Sequence, residues 1–461
     1  MTWRIGLFCL LAPLAWGGER EVVDLLVLHG LVVTVDEDRG IIEDGALAID
    51  QGGIVAVGTT AAILDRFLGR SALDARDHLV LPGLVNTHNH VPMTLMRGLS
   101  DDLPLKEWLE EHIWPAEAKV INAQTVTAGT ELAAVEMIRS GTTTFNDMYF
   151  FADEIASVAD RAGLRALVGE TIIDFPTPNK KTPQETIQYT KALIAKWRNH
   201  PRVSVAVAAH SPYTVAPELL KAAKALAVEH GLNLHVHLSE TQTEVNTIRQ
   251  RYGLTPTEHL HSLGVLFDGL TAAHCVVLSE RDRDLLVRNS VGIAHNPESN
   301  MKLASGVAPV PQLLAMDADV GLGTDGPASN NDQDMFHAMD FTAKLHKLNT
   351  LNPGVVSAQQ VVQMATLGGA KVLNMADKIG SLEPGKRADF ILVSMAPAHA
   401  TPLFDPYSHL VYALKGGDVT TMVVEGRVLF HEGKVRTLDE PAVLAKARRI
   451  AREMVAQFHS D

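Results

Sequence analysis

Leu79-Val-Leu-Pro-Gly-Leu-Val-Asn-Thr-His-Asn-His90 is an apolar run able to form a buried strand that stops at two histidines one residue apart. Alternate residues of a strand share a face, so the imidazoles of His88 and His90 can point at one cation where the strand ends. A His-x-His pair makes a metal site only when further ligands join it. The chain supplies candidates downstream, each following its own strand-like run: His237, His274 and Asp325.

Working outward, residues 79–378 alternate apolar strand-like runs with amphipathic helical stretches, the pattern of a parallel sheet with crossover helices. Strands are expected at Leu79–Val85, Thr142–Asn146, Arg165–Gly169, Val203–Ala208, Asn233–His237, Leu270–Ala273, Val291–Ala294 and Val320–Gly323. Eight of them predict a closed (β/α)8 TIM barrel. Helical spacing between Thr125 and Arg139 ends at Gly141, and Gly163 and Gly231 stop two later helices in the same way.

Outside this block the texture changes to short alternating strands with turn residues. They fall at Asp24–Val33, Ala46–Asp50, Gly53–Val57 and Ser71–Asp74 before it, then Asp389–Val393, Val419–Val424 and Arg427–Phe430 after it. The two stretches, 19–78 and 379–440, predict one small β-sandwich domain beside the barrel. Residues 441–461 read as a terminal helix over Pro441–Phe458. The expected fold class is therefore α/β: a TIM barrel with a sandwich built from both ends of the chain.

Composition narrows the function. A hydrophobic fraction of 46% in 461 residues supports a large core. A formal charge of −14, from 54 acidic and 40 basic residues, argues against nucleic acid or an anionic membrane as the main partner and leaves a small molecule. The only cysteines are Cys9 and Cys275, so no disulfide framework is expected. Residues 1–18 carry Arg4, then apolar Ile5 to Trp16, then Gly17-Gly18. They read either as a secretory signal, too short to span a bilayer, or as a few non-native residues from a misplaced start codon or a buried first segment. Cleavage of a signal would place the protein in the periplasm.

In a barrel the C-terminal strand ends meet at one mouth. His88 and His90 close strand one, His237 strand five, His274 strand six and Asp325 strand eight. Three imidazoles and one carboxylate form an N3O donor set with room for a water, suited to zinc first and ferrous iron second. Asp325 can be both ligand and proton acceptor. His274 is either a further ligand or the group that orients the attacking water, and the orienting role is the expectation. Glu240 lies three residues past His237, where it can enter the mouth as a proton shuttle without binding the metal. The alternative for Glu240 is a helix N-terminal acid with Ser239 as cap.

Pro82-Gly83-Leu84-Val85-Asn86-Thr87-His88-Asn89-His90, His237 with Glu240, Ala273-His274-Cys275 and Gly323-Thr324-Asp325-Gly326 together resemble the signature of the amidohydrolase superfamily. The stretch from Leu95 to Glu117 resembles its branch of 5′-methylthioadenosine/S-adenosylhomocysteine deaminases and s-triazine hydrolases. The resemblance implies one divalent metal held by His88, His90, His237 and Asp325, with Glu240, His274 and Asp325 catalytic. It implies further that Trp108 packs against the ligand, Glu117 binds two ribose hydroxyls and His210 touches the nucleoside. Glu240 would contact the substrate too, and Ser329 is a further candidate. A carboxylate suits a vicinal diol because it accepts two hydrogen bonds at once.

One departure bears on substrate. The segment Glu170 to Lys181 offers no arginine for the carboxylate of adenosylhomocysteine, which makes uncharged methylthioadenosine the expected substrate. No lysine ends strand four, which agrees with a single metal. The implied reaction is hydrolytic deamination to the inosine analogue and ammonia. A related hydrolase of guanine, a pterin or a triazine, and a non-catalytic assembly barrel, are the alternatives. The resemblance also implies a cytoplasmic homo-oligomer.

Overall fold

Pro82-Gly83 divides the run that opens the sequence. In the computed structural model, which describes residues 20–458, His78–Pro82 and Leu84–Asn89 are separate strands in separate sheets. The expected single strand Leu79–Val85 is therefore corrected. His78–Pro82 pairs antiparallel with Phe390–Ser394 in the outer sheet, while Leu84–Asn89 runs parallel to Thr142–Tyr149. Proline has no N–H for a ladder. Gly83 lets the chain cross at close range, since a Cβ there would lie 2.1 Å from Thr143 Oγ1.

Leu84–Asn89 begins a parallel barrel that continues through Thr142–Tyr149, Arg165–Ile172, Val203–Val205 with Val207–Ala209, Leu234–Leu238, Leu270–His274, Gly292–His295 and Val320–Leu322. The fourth strand is broken at Ala206: its first half pairs with strand three alone, its second with strands three and five. Closure between strands eight and one comes from Asp325 N–H to His88 O at 3.0 Å and Thr87 Oγ1 to Leu322 O at 2.8 Å. Strands two and three run three residues beyond their expected ends, to Tyr149 and Ile172. Asp147 and Glu170 look like strand breakers, yet both are fully buried, because barrel strands are covered on both faces.

The outer strands form one mixed sheet of nine, in which Glu21–Val33 sits between Ile41–Asp50 on one side and Phe67–Asp74 with His78–Pro82 on the other. Leu25, Val27, Leu47, Ile49, Phe390 and Leu392 make its apolar interior. The opposite face of the same strands, Leu26 and Ala48, packs on Ile63 and Phe67. A buried ion pair joins this sheet to the barrel, Arg165 Nε to Asp389 Oδ2 at 2.8 Å.

Helix Ala123–Ser140 starts with an Asn122–Thr125 capping box and stops at Gly141, whose φ of 89° suits glycine. The terminal helix is Glu440–Phe458 and packs against it. Among the described residues, no helix is long and apolar enough to cross a membrane. The leader expected over residues 1–18 lies outside the described residues.

Candidate metal centre

Each proposed ligand leaves its strand where the barrel opens. His88 and His90 alternate with the buried Asn89, and their ring centroids lie 4.9 Å apart. Asp325 follows the short last strand in a left-handed conformation, φ 62°, with its N–H held by His88 O. Asp325 Oδ1 lies 3.2 Å from His88 Nε2 and 3.3 Å from His90 Nε2, and His237 Nε2 lies 3.3 Å from His90 Nε2.

The other ring nitrogens are engaged away from this point. His88 Nδ1 meets His235 Nε2 at 2.8 Å, His90 Nδ1 bonds Met148 O, and His237 Nδ1 donates to His210 O at 2.7 Å. Such outer partners fix the rings with Nε2 facing inward. His88 Nε2 is fully buried and has no hydrogen-bond partner, although Asp325 Oδ1 is close. Donor atoms of His88, His90 and His237 lie within 4.8 Å of one another, as do those of His88, His274 and Asp325. A divalent ion fits among them, because an orphaned nitrogen in a dry site is costly unless something accepts its lone pair. Burial holds the His88 imidazole at a pKa of about 4, so it is neutral and ready to ligate at pH 7.

Around the cluster, burial and then the charge of Asp325 push the Glu240 carboxyl well above the usual range. Asp325 goes the other way: burial alone would raise it, but His88, His274 and His90 hold it well below. His274 Nε2 stands 3.8 Å from Glu240 Oε2 and 4.0 Å from Asp325 Oδ2. Its Nδ1–H donates to Asn300 Oδ1 at 2.9 Å, which leaves Nε2 as the proton-accepting nitrogen.

A cavity opens over the cluster and is lined by Trp108, Glu117, His210, Glu240, His274 and Ser329 among others. Glu117 is 4% exposed and accepts from Tyr149 Oη at 2.6 Å; burial raises its carboxyl to about 7 against that bond. Trp108 is anchored through Nε1 to Ser100 O. His210, held neutral with a pKa of about 3 by burial, meets Thr214 Oγ1 at 2.7 Å. Ser329 donates to Asp325 Oδ2 at 2.9 Å, so it touches the cluster as well as the cavity. Ser239 is not the cap of the following helix; Thr241 is.

Sequence reasoning missed His235, Tyr149, Asn300 and the cleft beyond. His235 and His237 repeat the His-x-His spacing of strand one, and that signal alone could have found the first. The cleft shares Leu105, Leu109, Trp114, Tyr213 and Leu303 with the cavity and carries Lys106 and Arg251.

The chain belongs to the amidohydrolase family, whose pattern matches residues 79–429. It is 47% identical to the 5-methylthioadenosine/S-adenosylhomocysteine deaminase of Syntrophobacter fumaroxidans, over 93% of this chain and 98% of that one. It is 42% identical to the 5′-deoxyadenosine deaminase of Methanosarcina mazei, over 95% and 100%. Among solved structures it is similar to an adenosine deaminase from Xanthomonas campestris with bound zinc, at 40% identity, TM-score 0.93 and 95% and 100% coverage.

Proposed function

We propose that this chain is a zinc-dependent hydrolytic deaminase of adenosine-type nucleosides, acting on 5′-methylthioadenosine and releasing ammonia and the inosine analogue. The observation that carries the reading is that one cavity is lined both by His90, His237 and Asp325 of the cluster and by the buried carboxyl of Glu117. A free base has no diol for Glu117 to bind.

His88, His90, His237 and Asp325 would hold the ion, which when bound acidifies a water and so supplies a nucleophile near neutral pH. Glu240, whose carboxyl is pushed well above the usual range by burial and by the charge of Asp325, delivers a proton to a ring nitrogen of the adenine. As the water oxygen bonds to C6, His274 Nε2 or Asp325 takes the water's proton and passes it to the amino nitrogen, so that the C6–N bond breaks with ammonia leaving; the Nδ1 bond to Asn300 keeps His274 in the tautomer that can do so. Glu117 accepts from the two ribose hydroxyls, Trp108 and His210 pack against the nucleoside, and Ser329 closes the cavity beside Asp325.

A second substrate, S-adenosylhomocysteine, is favoured by one observation. Arg251, its Nη1 fixed on Tyr213 O at 2.8 Å, lines the adjoining cleft and offers the guanidinium that residues 170–181 lack. An ultraviolet assay of the zinc-loaded enzyme against methylthioadenosine, adenosylhomocysteine, adenosine and guanine tests both statements. Turnover of the first two is expected. Turnover of guanine with none of the adenosine analogues would reverse the assignment.

A further inference from the structure

Glu240 has to deliver its proton to one atom, yet among the described residues its carboxylate accepts no hydrogen bond; its nearest ionisable partner is His274 at 3.8 Å. Its aim is therefore set by the backbone that carries it. That backbone is strained at Ser239, a non-glycine residue with φ 52°.

Glu244 holds this segment. Its carboxylate, 4% exposed, takes the Ser239 N–H on Oε1 at 3.0 Å and the Glu240 N–H on Oε2 at 2.8 Å. Glu244 is the third residue of helix Gln242–Tyr252, where an acid ordinarily closes a capping box on the N–H of the cap residue itself. Two neighbouring helices do that: Glu258 binds Thr255 N–H at 3.0 Å, and Asp282 binds Ser279 N–H at 2.8 Å. Glu244 instead passes over its cap, Thr241, and reaches one and two residues further back. Helix capping does not ask for this geometry, whereas fixing the Ser239-Glu240 peptide does. Ser239 O in turn accepts from Val276 and Val277 N–H, at 3.1 and 2.8 Å, which ties the segment to the loop beyond His274. Ser239, held by the clamp, thus links the segment that carries Glu240 to the loop that follows His274.

We infer that Glu244 is a positioning residue for the reaction: it fixes the Glu240 backbone so that the catalytic carboxyl points into the cavity. The inference rests on the role proposed for Glu240, and a double-mutant cycle separates the two. Glu244→Gln keeps the shape but sets an amide NH2 against one of the two backbone N–H groups. In the otherwise unchanged enzyme it lowers kcat for methylthioadenosine by roughly 10–100-fold, the range for a displaced catalytic group, with KM and zinc content unchanged. In a Glu240→Gln background the same change costs less than about twofold, because the group it positions is gone. Equal losses in both backgrounds would reduce Glu244 to a structural residue and overturn the inference alone. Full activity in Glu240→Gln by itself would overturn the catalytic role of Glu240 and the inference with it. If Glu244→Gln does not fold, amide hydrogen exchange of the parent enzyme decides. The Ser239 and Glu240 amides are expected to be strongly protected although they lie outside any helix or strand, and exchange at the rate of exposed loop amides would overturn the clamp.

Discussion

Glu117→Gln probes a buried charge whose cost and use can be measured separately. The Glu117 carboxyl titrates at about 7 in the folded protein against 4.5 for the free side chain, with burial as the cause and Tyr149 opposing it. The folded state therefore binds this proton more tightly than the unfolded chain. Stability linked to Glu117 is complete below pH 4.5, falls as pH rises towards 7, and is lost above that. The gap between 4.5 and about 7, at about 1.4 kcal/mol per pH unit, is worth about 3 kcal/mol. Glutamine has the same shape, carries no charge and still accepts from Tyr149 Oη, so substrate-free Glu117→Gln melts a few degrees above the parent at pH 8 and level with it at pH 5. The same variant loses the charged acceptor for ribose. Its KM for methylthioadenosine rises by roughly 10–100-fold, as loss of charge-assisted hydrogen bonds predicts, while a 2′-deoxy analogue suffers much less. Calorimetry at the two pH values and KM for the two substrates are the assays. A stability difference independent of pH, or an equal KM penalty for the deoxy analogue, would refute the reasoning.

Removing metal should be destabilising as well as inactivating. A chelator is expected to lower Tm and abolish turnover, with zinc restoring both; a ligand at 1,000 times its Kd stabilises by about 4 kcal/mol, and an unchanged Tm would show that the ion contributes nothing to the fold. Arg165→Ala leaves Asp389 buried without its partner and is expected to cost roughly 3–5 kcal/mol in urea unfolding, whereas Arg165→Met with Asp389→Leu recovers most of it. A loss below about 1 kcal/mol in the single variant would mean that water reaches Asp389.

What the sequence made legible was where barrel strands one, five, six and eight reach the mouth. His88, His90, His237, His274 and Asp325 each follow an apolar run, and a polar residue after such a run marks the place where a buried strand reaches the mouth. Strand interiors were harder. Asp147 and Glu170 stay inside because Val91 N–H and Ala152 N–H, both distant in sequence, bond their carboxylates at 2.6 and 2.9 Å. Local pattern contains no trace of such partners, so both strands were expected to end early. Pro82-Gly83 carried a signal that the apolar run around it concealed. Glu244 looked like any acid in a first helical turn; only coordinates show that it reaches past its own cap.

These features share a physical origin. Ser239, His274, Cys275 and Asp325 are non-glycine residues with positive φ, and all sit just where strands five, six and eight open into the cavity. Each conformation costs energy that a turn with glycine would not, and the side chains they aim are buried carboxyls and imidazoles that burial also penalises. Such costs persist only where other contacts impose them: the clamp of Glu244 on Ser239 and Glu240, Asn300 on His274, and His88 O on the Asp325 N–H. Local sequence preference and global fold therefore disagree most at the mouth, which is where preorganised charge is of most use to a reaction. Substitutions that relax the strain without touching a side chain of the cluster, such as Ser239→Gly, act on the same balance, since glycine accepts φ 52° at no steric cost but gives up the rigidity that aims Glu240.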